Sequence, residues 1–256
     1  MYPSFFFAHG MPTIVNETNA YTKFLRTLGL LLPKPKGIAI VSAHWESGVQ
    51  LISSNPKPDT LHDFFGFPDA LYETVYPARG DLVLSMEIEK LLAADGIRCE
   101  LNHRRGLDHG VWTLLSLLYP LADVPVVELS VNPKLVPEEQ YRIGRALKSL
   151  KARDVMIIGS GGTVHNLAKL HWQTEDAEEW AVRFDRWLAE KIAVWELEAL
   201  FDYEGRGPFV REAVPSREHL APLFISMGAG DEQQSAKLLH QEYEYGTLSL
   251  SAWMFR

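Results

Sequence analysis

Only one cysteine, Cys99, occurs in the 256 residues. That excludes an internal disulfide and fits a reducing compartment. Positive charge is also scarce: 25 Lys and Arg stand against 33 Asp and Glu, for a net charge of -8. With no basic block, the chain is not suited to nucleic acid. No apolar run approaches the roughly 18 residues of a membrane span. The opening "MYPSFFFAHG" lacks a basic flank, and its apolar run is too short for a secretory signal. The expectation is a soluble cytoplasmic protein, with no membrane and no nucleic acid among its partners. Short catalytic signatures are missing too. There is no HExxH, no CxxC and no GxSxG, and the "GSGG" of residues 159–162 lacks the Lys-Ser/Thr of a phosphate-binding loop. A nucleophile at Cys99 has little support, because "IRCEL" reads as a buried strand.

What is present suits a packed core: 46% of residues are hydrophobic and 23% charged. Residues 4–8, 37–43 and 124–131, and the run "DVMIIGSGG", read as buried strands. "TLSLSAWMF" reads as a final strand that alternates polar and apolar. Helical spacing marks residues 21–32 and 81–95, "VWTLLSLLYP", "PEEQYRIGRALKSLK", "EHLAPLFISMG", and a long segment over residues 175–200. The helix beginning at Pro137 has a proline and two acids in its first turn, as a helix N-terminus favours. Residues 53–80 hold four prolines, Pro56, Pro58, Pro68 and Pro77, and read as a long ordered loop of the kind that often serves function. Strands alternate with helices, and no repeat or linker interrupts them. The pattern predicts one α/β domain over residues 1–256, with a central, mostly parallel or mixed sheet and helices on both faces.

Nine histidines are present, and their placement matters more than their number. The runs "FFFAHG" and "IAIVSAHW" both reach a histidine, His9 and His44, and "GSGGTVHN" carries His165 after a third strand. In such folds the ligand sits beyond the carboxyl ends of the strands. A lone histidine after a strand is more often a hydrogen-bonded structural residue than a ligand. Several strands ending in histidine change that balance. Gly10, Ala43, Gly161 and Gly162 beside them leave room for imidazoles to converge, and neutral imidazole is the commonest ligand for zinc, iron and copper. His103, His171 and His240 lie among polar neighbours and read as surface residues. Trp45 and Phe64 are candidate pocket residues, although aromatics are more often core.

The ordered segments "FFFAHGMP", "VSAHW", "LHDFFGFP", "GLDHGVW", "GSGGTVHNL" and "EHLAPLF" resemble the class III extradiol ring-cleavage dioxygenases, the LigB-like superfamily. The similarity is greatest to the 4,5-DOPA extradiol branch and spans nearly the whole chain. The resemblance implies a single α/β domain and a mononuclear metal site. His9 and His44 match two metal ligands. The wider superfamily uses a carboxylate as the third, and here the matching position is His219, with Glu218 beside it. His165 matches an acid/base histidine that can also lie on the metal, His109 a second acid/base histidine, and His62 a residue of the loop that shapes the substrate pocket. Fe(II) is the ion expected for activity. Zinc has no redox chemistry, yet an all-imidazole set suits Zn(II) as the bound ion as well.

The activity implied is O2-driven opening of a catechol ring with a DOPA-like catechol and O2 as the small-molecule partners; oligomeric state stays open. His165 is expected to take a catechol proton and His109 to deliver one. Two alternatives remain at this point: a zinc hydrolase using the same histidines, and a non-catalytic binding member of the fold.

Overall fold

The computed structural model describes residues 2–174 and 176–256. In chain order its regular elements are β1 (Ser4–Ala8), α1 (Ala20–Leu31), β2 (Gly37–Glu46), β3 (Gln50–Ser53), α2 (Asp69–Tyr72), α3 (Leu82–Ala94), β4 (Cys99–Asn102), α4 (His109–Leu118), β5 (Val126–Val131), α5 (Pro137–Leu147), β6 (Val155–Gly161), α6 (Glu179–Ala193), α7 (Leu197–Phe201), α8 (Tyr203–Arg206), α9 (Val210–Ala213), α10 (Ala221–Ala229), β7 (Ala236–Glu244) and β8 (Leu248–Phe255). The strands form one mixed sheet in the order β4-β3-β5-β2-β6-β1-β8-β7. The four central strands β5, β2, β6 and β1 are mutually parallel, and antiparallel pairing enters at β3 on one side and β8 on the other.

The central strands are apolar on both faces because helices cover both. Successive side chains of a strand point to opposite faces. Thus Phe5 and Phe7 of β1 pack with Tyr21, Leu25, Trp112 and Leu115 of α1 and α4. Phe6 points the other way, among Phe184, Leu188, Leu223 and Phe224 of α6 and α10. The same alternation sends Ile38, Ile40, Met156 and Ile158 to the first face. Ala39, Val41, Val155 and Ile157 face α3, α5 and α10. Each fully buried side chain of this size contributes about 1.5–3 kcal/mol.

Several boundaries differ from the sequence reading. The apolar run of β2 stops at Ala43, yet the strand continues to Glu46. Its pairing with β6 ends at Ser42 and its register with β5 shifts between Val41 and Glu46, so His44 sits in the irregular last part of the strand. The segment expected as one helix over residues 175–200 is two helices, α6 and α7. Trp195, with φ of +55°, turns the chain between them, and its indole N–H donates to the Tyr141 hydroxyl at 3.1 Å. Glu175 lies outside the described residues. The strands β3 and β7 are additional to those expected. β7 is an edge strand, largely half-buried to exposed, and its sequence lacks a clear alternation. β8, whose sequence alternates polar and apolar, is almost wholly buried, because its two faces pack into the cores on either side of the sheet. Its polar residues are satisfied internally: Ser249 Oγ donates to Asp185 at 2.6 Å. No helix is long and apolar enough to cross a membrane among the described residues.

Candidate metal centre

The carboxyl ends of β1, β2 and β6, the start of α4 and the segment before α10 bring five histidines together. The ligand nitrogens of His9, His165 and His219 lie within 4.8 Å of one another, and so do those of His9, His44 and His109. His9 is therefore the hub. Its Nε2 is 3.0 Å from His44 Nε2.

Local backbone explains the convergence. His9 follows β1, and Gly10 turns the chain away from the site with φ of +64°, a conformation glycine adopts without penalty. At the end of β6, a side chain on Gly161 would put its Cβ 2.1 Å from the carbonyl oxygen of His219. The glycine lets the two segments touch, and the amide of Gly162 donates to that carbonyl at 2.8 Å. The "GSGG" turn is thus a close-packing device. It holds the His219 segment against β6.

Hydrogen bonds at Nδ1 set the direction in which three of the imidazoles present a lone pair. Ser160 Oγ donates its hydrogen to the carbonyl of Gly110 at 2.5 Å. It must then accept from His9 Nδ1, 3.1 Å away. Asp63 Oδ1 can only accept, so His109 Nδ1 donates to it at 3.0 Å. Glu218 Oε1 likewise accepts from His219 Nδ1 at 2.9 Å. All three rings therefore carry a hydrogen on Nδ1, which leaves Nε2 as the nitrogen open to a ligand or a proton. The Nε2 of His219 is buried and has no hydrogen-bond partner. An unsatisfied buried acceptor costs about 1–3 kcal/mol, and a cation among these nitrogens would satisfy it. Metal-ligating histidines commonly donate their other N–H to a carboxylate or carbonyl, as these do. Metal–nitrogen bonds of about 2.0–2.1 Å place adjacent ligand nitrogens roughly 3 Å apart, which the His9–His44 contact matches. The donor set fits a divalent transition-metal ion.

The electrostatics point the same way. Burial, then the neighbouring imidazoles, hold His9 and His44 well below the usual histidine range. Burial and His219 do the same for His165. These rings are neutral at pH 7, as ligands must be. Burial works against ionisation of Glu218, but hydrogen bonds from His219 and Ser216 outweigh it and bring the carboxyl down to about 2. Glu218 therefore stands behind His219 as an anion.

A second layer braces His44 and α4. Ser42 Oγ donates to Asp108 at 2.7 Å and accepts from the His44 amide at 3.2 Å. Arg105 donates to Asp108 at 2.6 Å and to Glu128 at 3.0 Å, and reaches the His44 carbonyl at 3.4 Å. Glu128 is fully buried, and burial followed by the Asp108 charge pushes its carboxyl well up.

His62 does not join the cluster. Its Nε2 donates to the Thr74 carbonyl within its own loop at 3.0 Å, and its ring packs near Phe64 and Trp112. Phe64 stands closer in, with its ring 5.7 Å from that of His109. Trp45 is buried under the Arg105 guanidinium, 4.8 Å from its ring centre. His103 and His171 are exposed. His240 is not a surface residue: it is half-buried between Tyr21 and Phe24. Sequence reasoning missed Asp63, Ser160 and the Arg105–Asp108–Glu128 group. For two of the carboxylates a signal existed, since Asp63 adjoins His62 and Asp108 adjoins His109. Ser160 has none, because its partner is distant in the chain.

Comparison with known proteins adds to this geometry. Residues 8–255 match the family described as the catalytic LigB subunit of aromatic ring-opening dioxygenase. The chain is 37% identical to a 4,5-DOPA dioxygenase extradiol of Portulaca grandiflora, over 98% of this chain and 95% of that one. It is 35% identical to a protein of the same description from Escherichia coli K12, over 97% and 92%. A crystal structure of an uncharacterized Escherichia coli K12 protein superposes with a TM-score of 0.84 at 29% identity, covering 100% of both chains.

Proposed function

The chain belongs to the LigB family of aromatic ring-opening dioxygenases and is a ring-cleaving dioxygenase, and on that premise we propose that it opens a DOPA-like catechol at a site built from His9, His44, His219, His165 and His109. The whole of residues 1–256 serves as one catalytic domain, in a cytoplasmic setting that suits its lone Cys99. The substrate class rests on the relatives described as 4,5-DOPA dioxygenases.

One observation carries the site assignment: the buried, bare Nε2 of His219 lies beside three neutral imidazoles. In this reading His9, His44 and His219 hold the metal, with His165 able to serve as a fourth ligand. Fe(II) is the ion for activity, and Zn(II) can occupy the same donors. When bound, a redox-active ion supplies a chelating point for the two catechol oxygens and an electron path to O2.

The chain's own residues do the rest. His165 is neutral at pH 7 because burial and His219 depress its affinity for protons, so it is free to take a catechol hydroxyl proton. The His109 ring centroid stands 5.6 Å from that of His9, against 6.2 Å for His165. The Nε2 of His109 would first take up the second catechol hydroxyl proton, with the Nδ1–H held by Asp63, and would then return that proton to oxygen as the O–O bond breaks. Positioned proton transfers of this kind contribute about 10²–10⁴-fold. Phe64 and the surrounding loop give the ring an apolar wall. Both atoms of O2 end in the open-chain semialdehyde product.

Incubation of the Fe(II)-loaded protein with a catechol panel under air tests this. One O2 consumed per catechol, with a coloured ring-opened product, is expected. Turnover without O2 would favour the hydrolase, and no turnover with any catechol would favour a binding role.

A further inference from the structure

Asp63 occupies an unusual position for a loop residue. It belongs to the irregular segment between β3 and α3, yet its carboxylate reaches into the histidine cluster. One oxygen, Oδ1, accepts both the backbone N–H of His109 at 2.9 Å and the ring Nδ1–H of the same residue at 3.0 Å. The other, Oδ2, lies 3.6 Å from Nδ1 of His44. The rings of His44 and His109 are themselves only 3.9 Å apart between centroids.

This contact does two things at once. His109 is the first residue of α4, whose opening N–H groups have no partner within the helix. The natural cap, Asp108, makes no capping bond, because its carboxylate is engaged by Ser42 and Arg105. Asp63 supplies the missing acceptor from outside the helix. By taking the ring Nδ1–H as well, it fixes the ring's orientation and leaves Nε2 as the free nitrogen of a residue that stands in the cluster with His9 and His44.

We propose that Asp63 is a positioning residue that fixes His109 as the Nδ1–H tautomer, so that Nε2 is the atom that carries the proton in ring cleavage. The proposal rests on the acid/base reading of His109. It adds that the loop of residues 53–80 takes part in catalysis through a carboxylate as well as through its aromatic wall.

The test compares Asp63→Ala, Asp63→Asn and His109→Phe, singly and as the Asp63→Ala/His109→Phe double variant. Removing a second-layer partner of this kind costs on the order of 10–100-fold. Asp63→Ala is therefore expected to lower kcat by that factor with KM and metal content little changed. Asp63→Asn keeps an oxygen acceptor in the same place and should recover most of the loss. Long-range 1H–15N spectra of histidine-labelled, metal-free protein read the tautomer directly. Wild type should show His109 as Nδ1–H alone, and Asp63→Ala should shift it toward Nε2–H. In the His109→Phe background, Asp63→Ala should have no further effect on kcat. An unchanged His109 tautomer in Asp63→Ala, or a full additional loss in the double variant, would overturn the proposal. Wild-type turnover in His109→Phe would instead overturn the acid/base role of His109, while the spectra still decide whether Asp63 sets its tautomer.

Discussion

His165 and His219 lie face to face, with ring centroids 3.5 Å apart and planes within 8° of parallel. Two imidazolium rings could not hold that stack, since like charges at such a distance in a buried setting repel by several kcal/mol. The stack therefore keeps at least one of the two rings neutral, and burial and His219 hold His165 in that state. The neutral state is also the one in which imidazole binds metal, so the packing of these two side chains prepares the donor set before any ion arrives.

Loss of the hub should empty the centre. His9→Ala or His44→Ala removes one of two nitrogens 3.0 Å apart. Either variant should retain less than about a tenth of the wild-type metal at neutral pH, in line with the 10–100-fold cost of disturbing a metal site's supporting shell. Elemental analysis after desalting reads this. Full metal in both variants would sink the assignment.

Acid should destabilise the metal-free protein. His9, His44 and His165 are held well below the ordinary value of 6.5 in the fold, whereas the unfolded chain protonates near that value. Above about 6.5 neither state binds these protons, and stability is at its full value. As pH falls below about 6.5 the unfolded chain takes up protons the fold refuses. Stability then drops by up to about 1.4 kcal/mol per pH unit for each imidazole, until the folded values are passed. Urea unfolding in the presence of a chelator at pH 7.5, 6.0 and 5.0 measures the slope. A midpoint that does not move between pH 7.5 and 5.0 would contradict this account.

Gly161→Ala should damage both fold and site. The added Cβ would fall 2.1 Å from the His219 carbonyl oxygen, and backbone cannot yield as a flexible side chain does. Overpacking of this type costs about 1–3 kcal/mol. The shift also pushes His219 away from His9, so metal content should fall together with the unfolding midpoint. Wild-type values for both would show that the two segments are free to part.

Phe64→Ala should raise KM for a catechol more than His62→Ala does. Phe64 stands beside His109, whereas His62 is tied to Thr74 within the loop. Losing an aromatic wall of about 1.5–3 kcal/mol corresponds to roughly ten- to a hundredfold in apparent affinity. Metal content should stay unchanged in both variants. A larger KM effect at His62 would restore it as the substrate contact and place Phe64 in the core.

Much of the fold was legible because its signals are local. The apolar runs of β1, β2, β5 and β6 announce strands buried on both faces, and the Pro137 start with two acids announces α5. β7 was missed because an edge strand needs no strict alternation. The break at Trp195 was missed because a left-handed residue held by Tyr141 leaves no mark in helical periodicity.

The sequence by itself determined that the histidines stand at strand ends and turns beside small residues, where an α/β sheet collects its ligand. That follows from chain-local pattern, the period of a strand and the punctuation of glycine. Only the tertiary structure decided which nitrogen of each ring is bare. Ser160 meets His9 across 151 residues, and Asp63 meets His109 across 46. Such partners are set by how the strands are ordered in the sheet and where the loop lies. A hydrogen bond of about 3 Å forms or fails on that placement, and no spacing within either segment encodes it.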